Sequence, residues 1–307
     1  MSTSRTNGNA FHPKKYTPNT PEVLCELCHP ATAEVAKHFL PTITETQTTP
    51  AESWIVHDNA CGYGEVSRMI LEMDPAPAKK IDIVGTDSSD AMIQTYLKLK
   101  DKFASRLDGQ GVSIRAEVQR AENLAALSDE SFSHSITNFL VNSGPNPDLN
   151  VPIVKEVYRT LKPGGTAVIT NWNQIAHADA VIAAHEGTRG KDASPLLYGM
   201  GKELLNPDHL ISSVVGGGFD KAKLKILSKP VAAGASWKTR ESRRRYCGLM
   251  WSVLGPTLKG WQLEDEEKWE QALDILEDML PKLPGVTVSD EGLLSITLTA
   301  TIAIVQK

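Results

Sequence analysis

The chain has 307 residues, 41% hydrophobic and 22% charged, the proportions of a globular protein and not of a disordered or fibrous one. A formal net charge of −5 at pH 7 gives no electrostatic ground for binding nucleic acid or an anionic membrane. No apolar run reaches the roughly 18 residues of a membrane span, residues 1–15 lack a signal-peptide hydrophobic region, and four cysteines are too few for a disulfide framework; the expected setting is reducing and cytoplasmic.

Residues 1–20, rich in Ser, Thr, Asn and Pro, read as an arm with Phe11 and Tyr16 as its aromatic anchors. Pro21 to Leu40 has a helical period that Pro30 divides in two. Within it, Cys25-Glu26-Leu27-Cys28-His29 matches the haem-attachment signature. Without an export signal, two small thiols on a helix are the better reading, and no second Cys/His pair follows that would complete a zinc site. No metal site is expected. Residues 41–52, rich in Thr and Pro, read as a linker.

Trp54 to Val66 is the stretch around which the chain is organised. Trp54-Ile55-Val56-His57 reads as a buried strand, Asp58-Asn59-Ala60-Cys61-Gly62-Tyr63-Gly64 as a small-residue turn, and Glu65 to Met73 as a helix. Strand, glycine turn and helix make a nucleotide site, because the turn lets backbone approach the ligand and the helix start offers free N–H groups. Ser67 replaces the third glycine of the dinucleotide fingerprint. Asp58 at the strand end suits a cationic amino-acid moiety and would repel a pyrophosphate.

Ile81 to Asp87 is a second strand with an acidic end, and Asp87 lies 23 residues after Gly64, near the spacing for a carboxylate that grips ribose hydroxyls. Asp87, Ser88 and Ser89 also precede a helix expected over Ala91–Leu107, so capping is a second role. Met92 sits where it would meet an adenine face or the core. Val112–Val118 is the third strand, followed by Arg120-Ala121-Glu122-Asn123-Leu124 at the same rim. His134 to Asn142 is the fourth strand and its exit, with Asn138 and Asn142 as rim amides before a turn-rich loop. A helix over Val151–Leu161 stops at Lys162-Pro163-Gly164-Gly165, and Thr166–Thr170 is a fifth strand leading to Trp172, a substrate wall or a core residue.

These segments together resemble the class I S-adenosylmethionine-dependent methyltransferases. The resemblance rests on Asp58-x-Ala60-Cys61-Gly62-x-Gly64, Val84-Gly85-Thr86-Asp87-x-Ser89-x-x-Met92, Ala121-Glu122-Asn123-Leu124 and Glu156-x-x-Arg159-x-Leu161-Lys162-Pro163-Gly164-Gly165, in the family's order over residues 54–172. The stretch from Asp58 to Ser67 is similar to fungal secondary-metabolite methyltransferases that include the gliotoxin thiol methyltransferase. The resemblance implies an α/β, Rossmann-like, seven-stranded, mostly parallel sheet with an antiparallel last strand, plus a helical cap. It implies S-adenosyl-L-methionine as cofactor. Asp58, Ala60, Cys61, Gly62, Gly64 and Asn138 would serve the methionine part, Asp87 the ribose, and Ser88, Met92, Ala121 and Glu122 the adenine. Arg120 stands where many relatives carry an acid that accepts from the adenine amino group.

Beyond Trp172, helices are expected over Ile175–Glu186, Pro207–Val215, Thr239–Leu254 and Asp265–Leu280, and strands over Ala222–Ser228 and Leu294–Val305. The ~65 residues between those strands exceed an ordinary connection and read as a cap. The domain reading is therefore an arm and lid over 1–50, a cofactor core over 51–172, and sheet completion with the cap over 173–307. Arg240, Arg243, Arg244 and Arg245 read as a solvated helix face in preference to a substrate patch. The expected function is methyl transfer to a small molecule, with a thiol slightly favoured over a hydroxyl or an amine. Tyr16, Asn142, Trp172 and His177 are the substrate-side candidates, and no histidine is essential as a base. Binding of the cofactor without transfer is the second reading; a nucleic-acid or protein substrate is disfavoured by the acidic balance.

Overall fold

The computed structural model describes residues 11–18, 20–28, 30–45, 51–73, 78–107, 111–141, 146–198 and 205–307. Asn142, His29, residues 143–145 of the expected turn and 46–50 of the expected linker lie outside them. The chain forms two compact units. One is drawn from the described parts of Thr20–Ile175, Gly201–Ala233 and Thr297–Lys307, and carries most of the sheet. The other is drawn from those of Met1–Asn19, Ala176–Met200 and Gly234–Ile296, and is mainly helical.

In the sheet unit, α1 (Pro21–Cys28) and α2 (Ala31–Glu45) precede β1 (Ala51–Asn59), so 41–45 of the expected linker continue a helix and 51–52 open a strand. Then come α3 (Glu65–Glu72), β2 (Ala78–Asp87), α4 (Asp90–Leu97), α5 (Leu99–Lys102), α6 (Ala104–Leu107), β3 (Val112–Val118), β4 (Phe132–Asn138), α7 (Asn150–Thr160) and β5 (Leu161–Ile175). After α8 (Ala178–Arg189) follow α9 (Pro207–Gly216), β6 (Lys225–Ser236), α10 (Arg240–Leu254), α11 (Leu263–Glu267), α12 (Trp269–Met279), β7 (Val286–Val288) and β8 (Leu293–Gln306).

The sheet order is β3-β2-β1-β4-β5-β8-β6, with β7 paired to β8 off this path. The first five strands pair in parallel, and β8 runs antiparallel to β5. The open, mostly parallel Rossmann-like sheet with an antiparallel closing strand is the expected one; β7 was not foreseen. β1 lies centrally and is buried on both faces from Val56 to Asn59, whereas edge strand β3 buries only Ile114. On one face, Val154 and Val157 of α7 and Leu210 and Val214 of α9 pack against Ala167, Ile169, Ala303 and Val305.

Three boundaries differ from expectation for packing reasons. The single helix expected over Ala91–Leu107 is broken at Lys98 and Phe103. The breaks let Leu99 turn against Gly64 and let the Arg106 guanidinium donate to the carbonyls of Leu71 and Met73. β5 is longer than expected at both ends: Leu161 pairs with Phe132 of β4 at its start, and β8 pairs with it as far as Ile175, past an irregularity at Trp172. β6 begins later than expected, after a turn that Asp220 caps by accepting from the Ala222 N–H at 2.9 Å. It runs on through Pro230, which an edge strand tolerates.

In the helical unit, Thr239 caps α10. The arginine cluster there is not a free face. Arg243 pairs with Glu277, and Arg244 with Asp274, Glu270 and Glu277, so the two residues tie α10 to α12. Helix Asp265–Leu280 is divided at Lys268, whose ammonium donates to the Thr188 carbonyl at 2.6 Å. No helix among the described residues is long and apolar enough to cross a membrane.

Candidate active site

The site begins where β1 ends. Ala60, Gly62 and Gly64 all have left-handed backbone, with φ of 54°, 52° and 86°. For Ala60 that conformation costs roughly 1–2 kcal/mol. The turn is held by the Cys61 N–H donating to the Thr86 carbonyl and the Gly64 N–H donating to the Cys61 carbonyl, each at 2.9 Å. The two glycines do different things. A Cβ on Gly64 would lie 2.7 Å from Leu99 and 2.8 Å from Tyr96, so Gly64 is needed for packing. A Cβ on Gly62 would meet nothing within 4 Å, so its backbone faces open space.

Asp87, at the end of β2, couples this turn to the next helix. Its Oδ2 accepts from the Gly62 N–H at 3.0 Å and its Oδ1 from the Ser89 N–H at 2.9 Å. Each carboxylate oxygen keeps capacity for another donor, so both expected roles of Asp87 are compatible. The helix cap itself is Ser89, whose hydroxyl accepts from the Met92 N–H. Ser88 is exposed and Met92 half-buried beside it.

Asp58 is buried, with Oδ2 accepting from the Ser67 N–H at 3.2 Å and the Ser67 hydroxyl at 2.6 Å. The Ser67 hydroxyl also meets the Tyr96 hydroxyl at 2.7 Å. Burial pushes the Asp58 pKa up to about 7, against the lowering effect of the Ser67 bonds, and nearby Asp87 adds to the rise. Burial also pushes the Cys61 thiol well above its ordinary range, so it stays protonated. Ser67 stands in the glycine motif but was not singled out as a partner of Asp58, and Tyr96 stands in no glycine or acidic motif.

The loop after β3 presents buried Ala121 and half-buried Glu122, and the Glu122 carboxylate accepts from the Arg120 guanidinium. The Glu156-x-x-Arg159 motif explains how this loop is fixed. Glu156 accepts from the Leu124 N–H at 2.8 Å, and Arg159 donates to Glu156 at 2.7 Å, to Leu124 O at 3.0 Å and to Leu127 O at 2.9 Å. The Arg159 bond holds the Glu156 carboxyl below its usual range, despite some burial.

At the end of β4, Asn138 Oδ1 accepts from the Thr170 hydroxyl at 2.7 Å. Phe139 follows with a left-handed φ of 60° and donates its N–H to the same hydroxyl at 3.0 Å. This turn stacks Phe139 on Trp172, with ring centroids 4.0 Å apart and planes 16° apart. Trp172 is half-buried, and Phe139, which was not among the candidates from sequence, joins it at the same rim. Its signal, an aromatic residue directly after the strand-end amide, was present.

The cofactor-side candidates Asp58, Ala60, Cys61, Gly62, Gly64, Asp87, Ser88, Met92, Ala121, Glu122 and Asn138 all fall in the sheet unit, at or just after the C-terminal ends of β1 to β4, and Trp172 is in the same unit. Tyr16 and His177 fall in the helical unit. Tyr16 stacks on His12 and meets Trp261 edge-on. His177 ends the approach to α8; its Nδ1 is buried without a partner, and burial pushes its pKa down to about 4. His57 and His134 lie inside β1 and β4, not before or at their starts. His57 bonds Thr86 at 2.9 Å and stacks on Phe132, while the His134 ring lies tilted by 38° against Trp54. Among the described residues, no group of three or more His, Cys, Asp or Glu is placed to hold a metal ion.

Residues 56–165 match the family model described as "Methyltransferase domain". No curated protein matches the chain in sequence. Among solved structures, the chain is similar to the YcgJ protein of Bacillus subtilis, with 12% identity, TM-score 0.49, and 88% of this chain and 99% of that one covered. It is similar to a putative methyltransferase of Bacillus halodurans, with 17% identity, TM-score 0.48, and 87% and 97% covered. It is also similar to an arsenic(III) S-adenosylmethionine methyltransferase of Chlamydomonas reinhardtii, with 16% identity, TM-score 0.45, and 91% and 74% covered. The glycine turn and the Asp87 carboxylate that latches it both lie within residues 56–165, the stretch that matches this methyltransferase-domain model.

Proposed function

We propose that the protein transfers a methyl group from S-adenosyl-L-methionine to a small-molecule acceptor. The observation that carries this reading is the Gly62–Asp87 arrangement: backbone facing open space, latched to a carboxylate that still has acceptor capacity. These residues fit the cofactor. Gly62 and the Ala60–Cys61 backbone would hold the methionine part, Asp87 the ribose hydroxyls, and Met92 and Ala121 the adenine. The Asp58 carboxylate, ionised over half its population above pH 7, would favour the ammonium group.

When bound, the cofactor supplies an electrophilic methyl group on a sulfonium. The chain's own task is then to hold the acceptor atom in line, within about 3–3.5 Å of that carbon, and to exclude water. The Phe139–Trp172 stack supports an apolar or aromatic acceptor body. A thiol acceptor, with an ordinary pKa of about 8.5, is partly ionised at neutral pH and needs no strong base. We therefore favour a thiol slightly, in a secondary metabolite, in a cytoplasmic setting.

The test is calorimetric titration of S-adenosyl-L-methionine into wild type and Asp87→Ala, followed by a mass-shift screen of thiols, phenols and amines. Binding that the variant loses, with a methylated product, supports the proposal. Absence of binding to wild type sinks it, and binding without any methylated product turns the reading to a cofactor-binding protein that performs no transfer.

A further inference from the structure

Beyond Thr170, β5 carries a polar residue into an otherwise apolar layer. Three successive cross-strand pairs of β5 and β8 face the same side of the sheet: Ala167 with Val305, Ile169 with Ala303, and Asn171 with Thr301. The first two pairs belong to the core that α7 and α9 cover. Asn171 and Thr301 are both 0% exposed, like their apolar neighbours. Unlike every hydrogen-bonded polar group around the glycine turn, they have no partners: Asn171 Nδ2, Asn171 Oδ1 and Thr301 Oγ1 are all buried and unpaired.

That arrangement opposes stability. Each buried polar group left without a partner costs about 1–3 kcal/mol, and a branched apolar residue would fit a strand interior here without that cost. The two residues sit side by side, so one ligand group can meet both. A carboxamide offers a donor and an acceptor a fixed distance apart, and its complement is another group with the same adjacent pair. Along the sheet the pair lies level with the β4 exit: Asn171 directly follows Thr170, which pairs with Asn138, and its side chain stands on the opposite face from theirs.

We propose that Asn171 and Thr301 form the polar end of the acceptor site and read an amide, or an equivalent adjacent donor and acceptor, on the molecule to be methylated. This rests on the methyl-transfer reading above and makes the acceptor an amide-bearing compound. Asn171 and Thr301 act on specificity and not on the chemical step.

The experiment measures binding of benzamide and of N,N-dimethylbenzamide, which lacks the amide donors, by ligand-observed NMR in the presence of saturating S-adenosyl-L-homocysteine. Wild type is expected to prefer benzamide by about tenfold or more, since a site built to hydrogen-bond rejects an analogue that leaves it unpaired. Asn171→Leu and Thr301→Val should each bring that preference close to one, leave S-adenosyl-L-homocysteine affinity within about twofold, and leave Tm unchanged or higher. Absence of a preference in wild type overturns the proposal, as does a preference that survives in both variants. A fall in Tm with the preference intact also overturns it, by assigning the pair to an internal water. Should a variant not fold, the wild-type comparison still decides. Failure of wild type to bind S-adenosyl-L-homocysteine would strike the methyl-transfer reading instead.

Discussion

The Gly62 amide and the Asp87 carboxylate are joined by a 3.0 Å hydrogen bond that ties the turn after β1 to the end of β2. One carboxylate thereby sets the loop and presents its remaining lone pairs. Asp87→Ala should lower S-adenosyl-L-methionine affinity by about 100-fold, the equivalent of ~2–3 kcal/mol for charged hydrogen bonds. Calorimetry checks this. Asp87→Asn should fall between, since it keeps one acceptor oxygen.

The two turn glycines should separate under the same substitution. Gly64→Ala puts a Cβ against Leu99 and Tyr96 in a left-handed backbone, and is expected to destabilise the fold by about 2 kcal/mol or more. Gly62→Ala meets open space and should cost only about 1 kcal/mol of backbone strain, while its methyl group intrudes on the cofactor. Thermal melts with and without cofactor distinguish them: Gly64→Ala lowers the apo Tm, and Gly62→Ala mainly removes the cofactor-induced rise.

Cofactor affinity should increase with pH around neutrality. Asp58 titrates near pH 7 in the folded protein, above its ordinary 3.8, because it is buried. Its raised pKa contributes stability that is present below pH 4 and lost as pH rises towards 7. A bound ammonium favours the ionised form and so reverses that loss. Between pH 6 and 8 the ionised fraction changes by about tenfold, which sets the expected rise in affinity. Asp58→Asn should flatten the profile. A wild-type profile that is flat from pH 6 to 8 would remove Asp58 from ammonium binding.

Acid should unfold the protein early, with His57 as a main cause. Burial depresses its pKa from 6.5 to about 3. The stability this contributes is complete above pH 6.5 and lost as pH falls through that interval, at up to about 1.4 kcal/mol per pH unit. Replacement by Gln removes the titration while lowering stability at neutral pH through loss of the Phe132 stack. Denaturant melts from pH 7 to 4.5 should therefore show a shallower slope for His57→Gln than for wild type.

Local chemistry made the turn after β1 and its tie to β2 legible. Asp58, the glycines and Asp87 are strand-end and turn residues whose types are dictated by backbone conformation and charge, and such constraints are written in sequence. The contacts of Ser67 with Asp58 and Tyr96 complete the same network yet were invisible, because they arise only when α3 and α4 pack beside β1. Period alone also gave one helix over 91–107, where Leu99 and Arg106 bend the chain to reach Gly64 and Leu71. The arginines of α10 read as a solvated face because their acidic partners lie about 30 residues away on α12. Asn171 and Thr301 are ordinary polar residues in sequence; only their pairing across β5 and β8 brings their unpaired atoms together.

The insertion of β8 between β5 and β6 has a consequence for how the chain acquires its structure. β5 and β6 never pair with each other, so both present unfinished edges until a strand made some 55 to 120 residues later arrives. Such long-range closure is slow, and exposed edges during that interval invite pairing with other chains. A fragment ending before Val286 would hold the glycine turn, Asp87 and the Glu156–Arg159 buttress, and still leave the β5 edge sticky. Synthesis at low temperature or with a chaperone should therefore raise the yield of soluble protein more than any change at the site itself.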